Sequence, residues 1–120
     1  MECAELLKKI EKALEGNKKA SSLVLDVKKK SQFLEYIVLS SASSPKEARD
    51  LLLNILETVP VEPANISGVE RAEWIVVDYE KILLHIFLPE VREKYNLEKL
   101  WAAGDNIHEI KPIVKQKVKK

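Results

Sequence analysis

The chain has 120 residues, 46% of them hydrophobic and 32% charged, proportions that fit one globular domain with a single core and exclude a disordered chain. Cys3 is the only cysteine, which rules out an intrachain disulfide or a cysteine-based zinc site and favours a reducing compartment. The net charge is +1, but from His108 onward five lysines stand against Glu109 alone, so this end carries +4 and residues 1–107 carry −3; a mildly acidic body argues against phosphate backbone as its main target.

The first segment, Glu2 to Glu15, places Leu7, Ile10 and Leu14 at helical spacing and predicts an amphipathic helix stopped by Gly16-Asn17. The start Met1-Glu2-Cys3-Ala4-Glu5 is acidic where a signal or transit peptide is basic, and no apolar run reaches the roughly 18 residues of a membrane span, so a cytoplasmic location is expected. Alternation of Leu23, Leu25 and Val27 predicts a strand over 21–27, and Tyr36 to Ser41 predicts a second. Lys28-Lys29-Lys30-Ser31-Gln32 bridges them as an exposed connection too long for a tight hairpin, with Phe33 and Leu34 expected to fold back under the sheet edge.

Ser44-Pro45-Lys46-Glu47 has the pattern of a capping box, and proline suits the first helical position, where its missing N–H costs nothing. Ala48, Leu51, Leu52, Ile55, Leu56 and Val59 then form an apolar stripe that ends at Pro60. The stretch from Pro60 to Val69, with its prolines and glycine, reads as a loop crossing the sheet.

From Glu73 to Trp101 the sequence is densest. Trp74 to Val77 and Ile82 to Leu88 are rich in β-branched and bulky residues around the polar Asp78-Tyr79-Glu80-Lys81, a β-hairpin pattern. Pro89 stops the second strand. Val91, Tyr95, Leu97, Leu100 and Trp101 then continue as amphipathic helical turns. The predicted order is α-β-β-α-β-β-α, an α/β fold with a single mixed β-sheet and flanking helices. The chain divides into a domain over 1–107 and a basic C-terminal tail over 108–120.

The order W-I-V-V-D-Y, L-H-I-F and R-x-x-Y-x-L-E-x-L-W, carried by Trp74, Asp78, His85, Arg92, Tyr95, Leu97, Glu98, Leu100 and Trp101, resembles the ribosomal silencing factor family, RsfS or Iojap. The likeness runs from about residue 3 to Trp101. The chain departs from the family at Leu34-Glu35-Tyr36, where Ala-Asp-Tyr is more frequent, and at Glu80, where a small residue such as glycine is usual. The resemblance implies a nucleotidyltransferase-like superfold without the catalytic residues. It also implies a protein that binds the large ribosomal subunit at ribosomal protein L-fourteen and keeps the small subunit off, lowering translation when nutrients are scarce. The positions matching the family's contact surface are Trp74, Asp78, Tyr79, His85, Leu100 and Trp101.

Other functions are weighed against this one. Nucleotidyl transfer needs carboxylates holding a divalent metal beside a phosphate-cradling turn. Asp78 and Glu80 flank a turn, no third acid accompanies them, and Ser40-Ser41-Ala42-Ser43-Ser44 lacks the glycine such a turn uses. No catalytic residue, metal or cofactor is assigned. His85, inside an apolar run, could act as a base, but a histidine hydrogen-bonded on the sheet to Asp78 or Tyr79 is favoured. Trp74, Tyr79, Leu100 and Trp101, each taken alone, read first as core and second as interface anchors. Lys115, Lys117, Lys119 and Lys120 read as a solvated end, with a weak ribosomal RNA contact as the alternative. A homodimer or a non-ribosomal interaction module is the remaining rival.

Overall fold

The structure, a computed structural model, describes residues 2–15, 22–102 and 106–110. In chain order it contains α1 (Cys3–Glu15), β1 (Ser22–Asp26), β2 (Tyr36–Ser41), α2 (Pro45–Thr58), β3 (Asn65–Ser67), β4 (Trp74–Asp78), β5 (Ile82–Phe87), α3 (Pro89–Tyr95), α4 (Leu97–Trp101) and β6 (Ile107–Ile110). The strands form one sheet in the order β3-β4-β5-β2-β1-β6. β2 and β5 run parallel at its centre, while every other neighbouring pair is antiparallel.

Side chains alternate between the two faces of each strand, so the sheet separates two cores. Toward one face point Val24, Val38, Ile75, Val77, Ile82, Leu84 and Ile86, which pack on Ile10 and Leu14 of α1 and on Leu51 and Ile55 of α2. Burying one such aliphatic side chain contributes about 1.5–3 kcal/mol. The Ser22 and Ser40 hydroxyls, facing each other across β1 and β2, satisfy one another at 2.8 Å in this otherwise apolar layer. The opposite face buries Leu23, Leu25, Val27, Ile37, Leu39 and Phe87, with Val91, Leu97 and Trp101 of α3 and α4 laid against them.

The Ser44 cap and the proline of α2 lie where the sequence puts them. The Ser44 hydroxyl accepts the Glu47 N–H at 3.2 Å, and Pro45 opens the helix. The Glu47 carboxylate accepts the Ser43 hydroxyl.

Four local expectations are changed. The segment expected as a loop after Pro60 contains β3, three residues that pair with β4. The last helix is two helices, because Asn96 adopts a left-handed conformation (φ 44°) that ends α3 while its side chain caps α4 through the Lys99 N–H. The sheet also runs past 107: β6 pairs with β1 through Ile110, so the first residues of the segment read as a tail belong to the sheet, and 111–120 lie outside the described residues. In the β1–β2 loop, Leu34 packs against the second core as expected, whereas Phe33 is 81% exposed.

The β4–β5 hairpin is tighter than its polar stretch suggests. Tyr79 donates its N–H to Ile82 O at 3.0 Å, leaving only Glu80 and Lys81 as the loop, and Glu80 has φ 76°. The Lys81 N–H returns to Tyr79 O at 2.9 Å, so Glu80 is the centre of a γ-turn whose positive φ strains a residue with a Cβ. Glycine has no Cβ to strain at that φ.

Two stability outcomes follow from these local geometries. Replacing Glu80 by Gly should raise the unfolding free energy by about 1 kcal/mol through relief of the left-handed backbone, read as a higher urea midpoint. Ser44→Ala should lower it by about 1 kcal/mol through loss of the cap, and a midpoint equal to that of the unaltered protein would contradict the assignment.

Candidate partner-binding face

Strand parity decides which side chains share a surface. On β4, Trp74, Val76 and Asp78 point to the α3–α4 side of the sheet; on β5, Leu83, His85 and Phe87 do. The register sets Trp74 opposite Phe87, Val76 opposite His85 and Asp78 opposite Leu83. The fully buried members of the second core lie on β1, β2 and the end of β5. Trp74, Val76, Asp78 and Leu83 are only half-buried. The sheet thus presents an apolar strip along β4 and the start of β5, bordered by the acids Glu73, Asp78 and Glu80, with Arg71 paired to Glu73 at 3.7 Å and the exposed Lys81 beside Glu80.

Trp74 is held in place by chemistry beneath it. Its indole N–H donates to Nδ1 of His85 at 2.9 Å, a diagonal cross-strand pair. Its ring lies 5.9 Å from Phe87 and 4.8 Å from Tyr95 of α3. Because Nδ1 accepts, the neutral imidazole carries its hydrogen on Nε2. Burial pushes the His85 pKa down from 6.5 to about 4, so near neutral pH the ring is uncharged and this hydrogen bond is intact.

Arg92 anchors α3 and α4 to the sheet. Its guanidinium donates through Nε to Glu98 at 2.9 Å and through a terminal nitrogen to Ser41 at 2.6 Å, and its centre lies 5.9 Å from the Phe87 ring centroid. Its side chain is 11% exposed. Arg92 and Glu98 of the sequence motif are thus explained as the tie between α3, α4 and β2.

The six candidate contact residues do not form one patch. Trp74 and His85 are joined directly, with His85 buried below the indole. Asp78 shares their face at the far end of β4, where its carboxylate accepts the Glu80 N–H at 2.7 Å. Leu100 is exposed on α4, and Trp101 is half-buried against the second core. Tyr79 is the exception: one residue past Asp78, it falls on the opposite parity and is 6% exposed in the core under α1 and α2. Its hydroxyl is buried with no hydrogen-bond partner among the described residues, and burial raises its pKa. It cannot reach a partner from there without unfolding the hairpin. Val76, Leu83 and Tyr95 lie on the same side of the sheet as Trp74, and the alternation in W-I-V-V-D and I-L-L-H-I-F was the signal that could have found the first two.

The partner of His85 is Trp74, not Asp78 or Tyr79. Among the described residues no three His, Cys, Asp or Glu side chains converge to hold a metal ion, and no helix is long and apolar enough to cross a membrane. The pH dependence of folding follows from the depressed histidine. The unfolded chain takes up a proton near pH 6.5 and the folded one only near 4, so stability is full above 6.5 and declines as pH falls toward 4. Between about pH 7.5 and 5 the unfolding free energy should drop by about 2 kcal/mol from this group. In His85→Gln, whose amide oxygen can still accept the indole N–H, urea titrations at the two pH values should differ by much less.

The family model described as ribosomal silencing factor during starvation matches residues 1–120. A ribosomal silencing factor of Zymomonas mobilis is 28% identical over 103 residues, covering 83% of this chain and 77% of the relative. A mouse protein named mitochondrial assembly of ribosomal large subunit protein 1 is 29% identical over 84 residues, covering 65% of this chain and 37% of its own length. The crystal structure of a Chromobacterium violaceum protein superposes with a TM-score of 0.76 at 28% identity, covering 84% of this chain and 87% of that one. Matched along its whole length by the family's pattern, the chain belongs to the ribosomal silencing factor family.

Proposed function

We propose that this protein binds the large ribosomal subunit through ribosomal protein L-fourteen, using the strip along β4 and β5, and holds the small subunit away by occupying the surface where the two subunits join. Translation falls when nutrients are scarce, and the action takes place in the cytoplasm, where the ribosomes are. Family membership supports the silencing role, and the mouse relative's name, assembly of the large ribosomal subunit, supports the choice of subunit. The observation that carries the assignment of the face is Trp74. It is a half-buried tryptophan, packed on Phe87 and Tyr95, whose N–H is already satisfied by His85, so the part of its ring left in solvent can bury against a partner at no hydrogen-bonding cost.

The mechanism needs occupancy and no turnover. A standard interface buries about 800 Å² on each partner, with a few aromatic anchors supplying most of the energy. The net charge of −3 on residues 1–107, and the acids Glu73, Asp78 and Glu80 around the strip, suit a basic protein surface and favour encounter with it. Asp78, which could be taken for a metal ligand, instead holds the Glu80 turn.

Trp74→Ala should leave a folded protein whose affinity for purified large subunits falls by roughly 30-fold or more, the loss expected for a central aromatic anchor. Val76→Glu, at a half-exposed position that carries less of the core, should weaken binding as well while melting close to the unaltered protein. Both variants lose their effect on subunit joining in the same proportion. Retained co-sedimentation of Val76→Glu and Trp74→Ala with large subunits would remove this face from the site. A protein that leaves subunit association unchanged at stoichiometric excess would remove the function itself, and sedimentation of the free protein as a stable dimer through this strip would favour the homodimer reading.

A further inference from the structure

The β1–β2 loop is ordered in a way that the fold does not require. The N–H groups of Lys30 and Ser31 both donate to Val27 O, at 3.0 and 2.9 Å, and the Ser31 hydroxyl accepts from the N–H of Phe33 at 3.1 Å and of Leu34 at 2.9 Å. These bonds turn the chain so that Leu34 enters the second core and Phe33 is driven outward to 81% exposure. Phe33 is the most exposed large hydrophobic side chain among the described residues.

The three lysines beside it differ in their engagement. Lys28 is neutralised within the fold, paired with Asp26 at 3.2 Å, bonded to the Tyr36 hydroxyl at 2.8 Å and set over the Tyr36 ring. Lys30 reaches across to the carbonyl of Ala102, just past α4, at 3.1 Å. A carbonyl is neutral, so that bond fixes the direction of the ammonium without cancelling its charge. Lys29 is exposed. The loop thus holds an outward aromatic ring next to two cationic side chains, fastened to the α4 end of the face that carries Leu100 and Trp101.

A flat π surface with adjacent ammonium groups matches single-stranded or looped RNA, whose unstacked bases stack on aromatic side chains while lysines neutralise phosphates. A protein surface basic enough to suit the acidic β4 strip would be repelled by these lysines. We propose that the β1–β2 loop is a ribosomal RNA contact, with Lys29 and Lys30 on phosphates and Phe33 stacked on an unpaired base, set beside the protein-binding strip. The inference rests on the reading that the partner is the large subunit. It gives the molecule two chemically distinct contacts on one side, acidic and apolar along β4, cationic and aromatic at the loop.

The test uses purified large subunits and the full chain, with binding measured between 50 and 200 mM KCl. Neutralisation of two phosphates implies that Lys29→Ala/Lys30→Ala lowers the slope of log affinity against log salt by roughly 1.4–1.8. Phe33→Ala should weaken binding about tenfold at every salt concentration with the slope unchanged. Chemical footprinting of the ribosomal RNA should show nucleotides protected by the unaltered protein and exposed again with each variant. These side chains are on the surface, so the variants should melt with the unaltered protein, and a matched melt confirms that the loss is local. Unchanged slope and unchanged footprint in the variants would overturn the loop contact while leaving the silencing function standing. Weaker binding with no change in RNA protection would assign the loop to a ribosomal protein and also overturn it. Failure of the unaltered protein to bind large subunits would overturn both.

Discussion

The parallel pairing of β2 with β5 is the constraint on which the rest of the molecule depends. Parallel neighbours require a long crossover, and the chain supplies it through α2, β3 and β4 before β5 enters the sheet. β5 is central, with Ile82, Leu84 and Ile86 buried toward α1 and α2 and Phe87 buried on the opposite face, which is why Ile-Leu-Leu-His-Ile-Phe is almost continuously apolar and not alternating. His85 is the polar residue admitted to that strand. Its acceptor nitrogen is satisfied by the Trp74 indole from the neighbouring strand, and without that partner a buried imidazole would carry the penalty of an unmade hydrogen bond.

Burial keeps His85 neutral, and the hydrogen bond to its Nδ1 fixes the orientation of the Trp74 indole on the face along β4. Arg92 plays the matching part on the other border: joined to Glu98 and Ser41, it ties α3 and α4 to β2, with Tyr95 of α3 against Trp74 and the rest of β4 less covered on that face. The motif residues that mark the family therefore divide by physical role. Arg92 and Glu98 brace, His85 orients, and Trp74 is positioned to meet another surface.

Much of the fold was legible because it is local. The helical stripe of Leu7, Ile10 and Leu14, the Ser44–Glu47 cap, and the apolar strands at Tyr36 and Ile82 each declare themselves within a few residues. β3 escaped because three residues between prolines and a glycine hold no periodicity, and they become a strand only by pairing with β4. β6 escaped for a related reason: Ile-His-Glu-Ile leads into lysines, and its partner β1 lies far upstream. Asn96 broke the last helix through a left-handed backbone that its neighbours' apolar spacing does not betray. The candidate site divided in the same way. Trp74 and His85 could be singled out by residue type, but their hydrogen bond crosses a diagonal of the hairpin, and the sheet parity that buries Tyr79 under α1 and α2 while exposing Val76 and Leu83 emerges only when both faces are covered.

By itself the sequence determined the family, the α/β class, the caps and the residue types able to anchor a partner, since each of these follows from short-range spacing and side-chain chemistry. Only the tertiary structure decided which of those side chains share a surface, which face the helices leave open, and that Phe33 is pushed outward beside Lys29 and Lys30, because exposure is a property of what packs against a residue from elsewhere in the chain.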